Sequence, residues 1–65
     1  MNPYVIQIVS FSGEHQVSAE VVATSSNFHD CIKWCGENIE MLNDRILHKS
    51  FHVLEHNNTI ARINV

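Results

Sequence analysis

Between residues 28 and 42, six apolar side chains, Phe28, Cys31, Ile32, Cys35, Ile39 and Leu42, recur at intervals of mostly three or four positions. That spacing follows the 3.6-residue turn of an α-helix and gathers them into one stripe. Asp30, Lys33, Glu37 and Glu40 fall on the opposite side, so the helix has one face that must be covered and one that meets water. The run Thr24-Ser25-Ser26-Asn27 supplies its start. Asn27 suits the N-cap, and Asp30 three residues on resembles the acid of a capping box with a shorter side chain. Gly36 is a weak point, costing about 1 kcal/mol relative to Ala. A helix of about 16 residues spans roughly 24 Å, and strands of seven or eight residues match that length.

The flanking segments provide such strands. Residues 3–11, Pro-Tyr-Val-Ile-Gln-Ile-Val-Ser-Phe, are rich in β-branched and aromatic types, and Pro3 is tolerated only at a strand start. Tyr4, Ile6 and Ile8 point one way and Val5, Val9 and Phe11 the other, which places this strand centrally in a sheet. Ser12-Gly13-Glu14 forms a short linker. Residues 15–24 then set Val17, Ala19, Val21 and Ala23 against Gln16, Ser18, Glu20 and Val22, the alternation of a second strand returning as a hairpin.

Residues 45–56 fit two descriptions. As a helix, Ile46, Leu47, Phe51, Val53 and Leu54 gather on one side, with His48, His52, His56, Lys49 and Glu55 on the other. As a strand, Leu47, Phe51 and Val53 point inward and His48, Ser50, His52 and His56 outward, at the cost of Lys49 inward and Ile46 and Leu54 outward. The following residues favour the strand, because Asn57-Asn58 tolerates left-handed backbone and residues 59–65 alternate like a strand. A loop over residues 57–59 would set Val53 opposite Ile63, Phe51 opposite Val65 and His52 opposite Asn64. The expected fold is α+β, in the order β-β-α-β-β, with one helix on a four-stranded antiparallel sheet ordered 2-1-3-4. The alternative is β-β-α-α-β with a three-stranded sheet.

A chain of 65 residues makes one domain, residues 1–65, with a thin core that supplies no more than roughly 3–5 kcal/mol. Its formal net charge is -3, and its cations, Lys33, Arg45, Lys49 and Arg62, are scattered. No cluster exists to displace counterions from phosphates, so nucleic acid is not an expected partner, and neither is an anionic membrane surface. No apolar run reaches the roughly 18 residues of a membrane span, and no basic segment leads into an apolar stretch at the start. A cytoplasmic setting is expected.

Four groups of residues invite a chemical role. Cys31 and Cys35 lie on the buried stripe, His29 projects about 100° away, and the spacing is that of core packing rather than of a zinc site. His48, His52 and His56 share one side of the chain; on a helix they could bind a metal pairwise, whereas on a strand neighbours stand about 13 Å apart, too far to share an ion. The ordinary outcome for them is a solvated polar face, the functional one an interface. Trp34 and Met41, with Asn38 between them, lie on the helix flank, either as a rim folded over the sheet or as a partner-binding anchor. Ser10, Ser12 and His15 come near one another at the first hairpin, but no nucleophile paired with a base, no converging carboxylates and no glycine-rich phosphate cradle stands out. An enzyme is therefore not expected, nor any cofactor or metal.

The functional expectation is a small acidic protein-binding module that occludes a surface on a larger partner, using Trp34, Asn38, Met41, His48, His52 and His56. A phage or prophage accessory protein that blocks a host enzyme or defence complex suits such a chain. The first alternative is a self-associating structural domain, a homodimer formed through edge strands or helix flanks. The second is a metal-binding domain using His and Cys.

Overall fold

The computed structural model describes residues 2–64 and has the expected order. Strand β1 is Tyr4–Ser12, β2 is His15–Ser25, helix α1 is Phe28–Glu37, β3 is His48–Glu55 and β4 is Asn58–Ile63. The four strands form one antiparallel sheet in the order β2-β1-β3-β4, so β1 and β3 are central. Residues 45–56 thus resolve as loop and strand, and the three-stranded alternative falls away.

Each hairpin turns where a residue accepts positive φ. Gly13, at φ 62°, closes the first between paired Ser12 and His15. The second closes in two residues, His56 at φ 50° and Asn57 at φ 67°, a type I′ pattern whose twist matches that of the flanking strands. This turn is tighter than the loop expected over residues 57–59, and a register shift between Val53 and Leu54 follows it. Phe51 therefore meets Ile63, Val53 meets Ala61 and His52 meets Arg62. The displacement at Phe51, His52 and Val53 is two residues, an even number, so Ala61, Arg62 and Ile63 keep their expected faces, while the shift beyond Val53 brings Thr59 opposite Leu54.

Strand β2 departs further from simple alternation. Ile6 pairs with Ala23 but Gln7 with Val21, and Ser10 pairs with Ser18 but Phe11 with Gln16, so Val22 and Val17 are the extra residues of two bulges. Across the first bulge the alternation resets. Ala23 and Val22 pack toward the core, while Val21 and Ala19 share the opposite face with Gln7 and Val9. The expected single face of Val17, Ala19, Val21 and Ala23 is thereby divided.

The helix is also shorter than its apolar stripe. Asn27 caps it, its Oδ1 accepting from the His29 amide at 2.8 Å and the Asp30 amide at 3.4 Å. It ends at Glu37, and Asn38 adopts φ -116° and ψ 20° while its Nδ2 donates to the Trp34 carbonyl at 2.8 Å. A turn of 3-10 helix, Ile39–Leu42, completes the stripe. Gly36 and Asn38 are both poor helix formers, and the tighter turn still sends Ile39 and Leu42, three apart, toward the core.

That core lies between α1 and one face of the sheet. Ile6, Ile8, Cys31, Cys35, Leu42, Phe51 and Val53 are buried together, with Tyr4, Val22, Ala23, Trp34, Ile39, Ala61 and Ile63 around them. The link into β3 is held by Asp44, whose Oδ1 accepts from the Ile46 and Leu47 amides, each at 2.8 Å. Lys49 Nζ lies 3.4 Å from the other oxygen of that carboxylate.

Candidate interaction surfaces

One helix covers one face of a sheet, so the molecule has two unlike sides. Direct cross-strand neighbours point the same way, and the register therefore assigns each strand residue to a side. With Ile6 and Ile8 stand Ala23, Glu20, Val53 and Phe51 under the helix, and Tyr4 and Ser10 bring Glu55 and Lys49 to that side. The uncovered face carries Val5, Gln7, Val9 and Phe11 from β1, Thr24, Val21, Ala19 and Gln16 from β2, Leu54, His52, Ser50 and His48 from β3, and Arg62 and Thr59 from β4.

Charge divides along the same line. Asp30, Lys33, Glu37 and Glu40 ride on the helix and its 3-10 extension, and Asp44 and Arg45 sit in the loop beyond. Glu20, Glu55 and Lys49 are on the helix side of the sheet. Among the described residues the uncovered face has no carboxylate and one fixed cation, Arg62 on the edge strand. Glu14, in the first turn, offsets Arg62, so the formal net charge of -3 belongs to the helix side.

The six residues singled out from the sequence do not form one surface. Trp34 is half-buried and meets Phe51 edge-on, ring centroids 5.5 Å apart, so its indole walls the core. Asn38 spends its side-chain amide on closing the helix. Met41 is exposed nearby, and Phe28 and Ile32 are also exposed on α1, with Ile46 in the following loop. His48 and His52 lie on the uncovered face, whereas His56 is in the β3–β4 turn. Trp34 and Met41 thus stand on the opposite side of the sheet from His48 and His52, with His56 at the sheet's end.

The uncovered face is partly self-covered. Val9, flanked there by Ala19 and Ser50, is only 1% exposed although no helix lies over it. The Phe11 and His52 rings lean together at 6.4 Å between centroids. Burial, followed by the Arg62 charge, holds the His52 imidazole below its ordinary pKa, so it is neutral near pH 7. Val5, Phe11 and Leu54 are half-buried and Val21 is 58% exposed. These residues escaped the sequence reading, although one signal was in plain view: a strand apolar on both sides, and a single helix to cover it.

The cysteines are enclosed in the core and unbridged. Burial raises both thiols, Cys35 to about 11, with the Cys31 charge adding to the effect. They are protonated at neutral pH, which suits packing and disfavours metal binding or nucleophilic attack. Among the described residues no three His, Cys, Asp or Glu side chains gather as a metal site, and no helix is long and apolar enough to cross a membrane. A shallow open groove runs along the outer strand at Thr59, Ile60, Ala61 and Arg62. No family model matches the chain, and no curated protein or solved structure matches it significantly.

Proposed function

We propose that the chain is a small acidic protein-binding module that docks its helix side onto a cationic surface of a larger partner. The observation that carries this reading is the confinement of the whole -3 to one side of a thin domain, beside exposed Phe28, Ile32, Met41 and Ile46. Apolar side chains rimmed by carboxylates combine desolvation with complementarity to Lys and Arg, the pattern by which charge selects a partner and speeds encounter. Such a surface competes for sites that otherwise take nucleic acid, and a phage or prophage accessory protein occluding a host enzyme or defence complex is the setting it suits.

Affinity capture from the native cell extract tests this with two double variants, Ile32→Ala with Met41→Ala, and Glu37→Lys with Glu40→Lys. All four side chains are exposed, so the fold should survive, whereas Trp34→Ala would remove a wall of the core. Both variants should lose the partner, and wild-type capture should weaken as salt rises. Equal capture by wild type and both variants would overturn the proposal.

A further inference from the structure

We infer that the uncovered face of the sheet is where two copies of this chain meet, sheet against sheet, with both helices turned outward. This goes beyond the helix-side proposal and rests on different residues. Three observations choose a second copy as the occupant. The first is charge: a contact between copies through their helix sides would oppose -3 with -3, while among the described residues the uncovered face brings no carboxylate and has one arginine, on the outermost strand. Sheets packed about 10 Å apart leave the two acidic helix layers well beyond a Debye length of about 8 Å from each other.

The second is shape. A two-fold interface uses one patch twice, so the patch must complement itself. Here the central strand β1 presents half-buried Val5 and Phe11, with Val21 and Leu54 on its two neighbours, apolar side chains set around neutral Gln7, while Val9 and Ser50 between them are already closed off within the monomer. The third is area. The 34 strand residues, each covering about 3.3 by 4.8 Å, give roughly 540 Å2 per copy before side-chain relief. Two faces then bury about 1,100 Å2, near the lower bound of specific interfaces and within the size range of weak, transient ones.

Light scattering and sedimentation equilibrium from micromolar to submillimolar concentration, at neutral pH, test the inference. The wild-type mass should climb from 7.4 kDa toward twice that value. Val21→Glu places a carboxylate on this face at a position 58% exposed in the monomer, so it should melt like wild type and dimerise about tenfold or more weakly. Ile32→Glu, on the helix side, should dimerise as wild type does. A wild-type monomer throughout would overturn the inference and leave the face to a different protein or to solvent. A dimer indifferent to Val21→Glu, or broken by Ile32→Glu, would overturn it as well.

Discussion

The two faces of the β-sheet differ less in their own residues than in what lies over them. Under the helix, Ile6, Ile8, Phe51 and Val53 are buried with Cys31, Cys35 and Leu42. On the reverse, Val5, Phe11 and Leu54 are of similar apolar character yet stay half-buried, and Val21 is exposed. Hydrophobic patterning thus specifies that a strand is central without specifying what covers each of its sides. In this molecule the covered side carries the acidity and, among the described residues, the uncovered side almost no charge, and both proposals rest on that separation.

The sharpest way to break that contrast is to truncate one aromatic on each face. Phe51→Ala removes a fully buried ring and should cost about 3–5 kcal/mol, enough to unfold a domain with so small a core. Circular dichroism should show loss of the native spectrum at room temperature. Phe11→Ala, on the other face, should leave the fold intact with a modestly lowered melting temperature. Equal losses would mean that the uncovered face contributes as much to the monomer as the core does.

Next in size is the helix start. Asn27→Ala removes the acceptor for the His29 and Asp30 amides and should cost about 1 kcal/mol, read as a lower denaturant midpoint at unchanged slope. Because α1 covers only one face, the variant should dimerise as wild type does once folded, and a coupled loss of both would blur the distinction between the faces.

The smallest expected effect is on pH. His52 is held below its ordinary value of about 6.5, so the unfolded chain binds the more protons, and stability rises with pH through that window. The contribution is complete above about 6.5 and is lost as the solution is acidified below it. Facing His52 are Gln7 from β1 and Arg62 from β4, with the Phe11 ring beside it, and none of these offers a negative charge to favour the imidazolium. His52→Gln should flatten the profile between neutrality and pH about 5, as followed by thermal melts. Asp44, held low by the Leu47 and Ile46 amides, acts only at more acid pH, so the two windows separate.

Much of this was legible in the residues. The stripe through Cys31, Cys35 and Leu42 located the helix, and alternation in residues 3–11 located the central strand and both its faces. What stayed hidden arose from backbone irregularity. No periodicity marks the bulges at Val17 and Val22, which divide the second strand's apolar set between the faces. The tight turn at His56-Asn57 depends on left-handed backbone at a histidine, for which the neighbouring Asn57-Asn58 was the stronger sign. The 3.6-residue period sets Trp34 beside the main stripe, but its edge contact with Phe51 depends on where a helix that ends at Glu37 crosses the sheet.

Amide chemical shifts of the 15N-labelled chain, followed on dilution from submillimolar to micromolar concentration at neutral pH, read both faces at once. The shifts should move along β1 and its neighbours, centred on Val9, Phe11, Val21 and His52, and stay fixed through α1. Movement centred on residues 28–42 with a silent sheet, or no movement at any concentration, would contradict the division of the molecule into an acidic side for a foreign partner and an apolar side for its own kind.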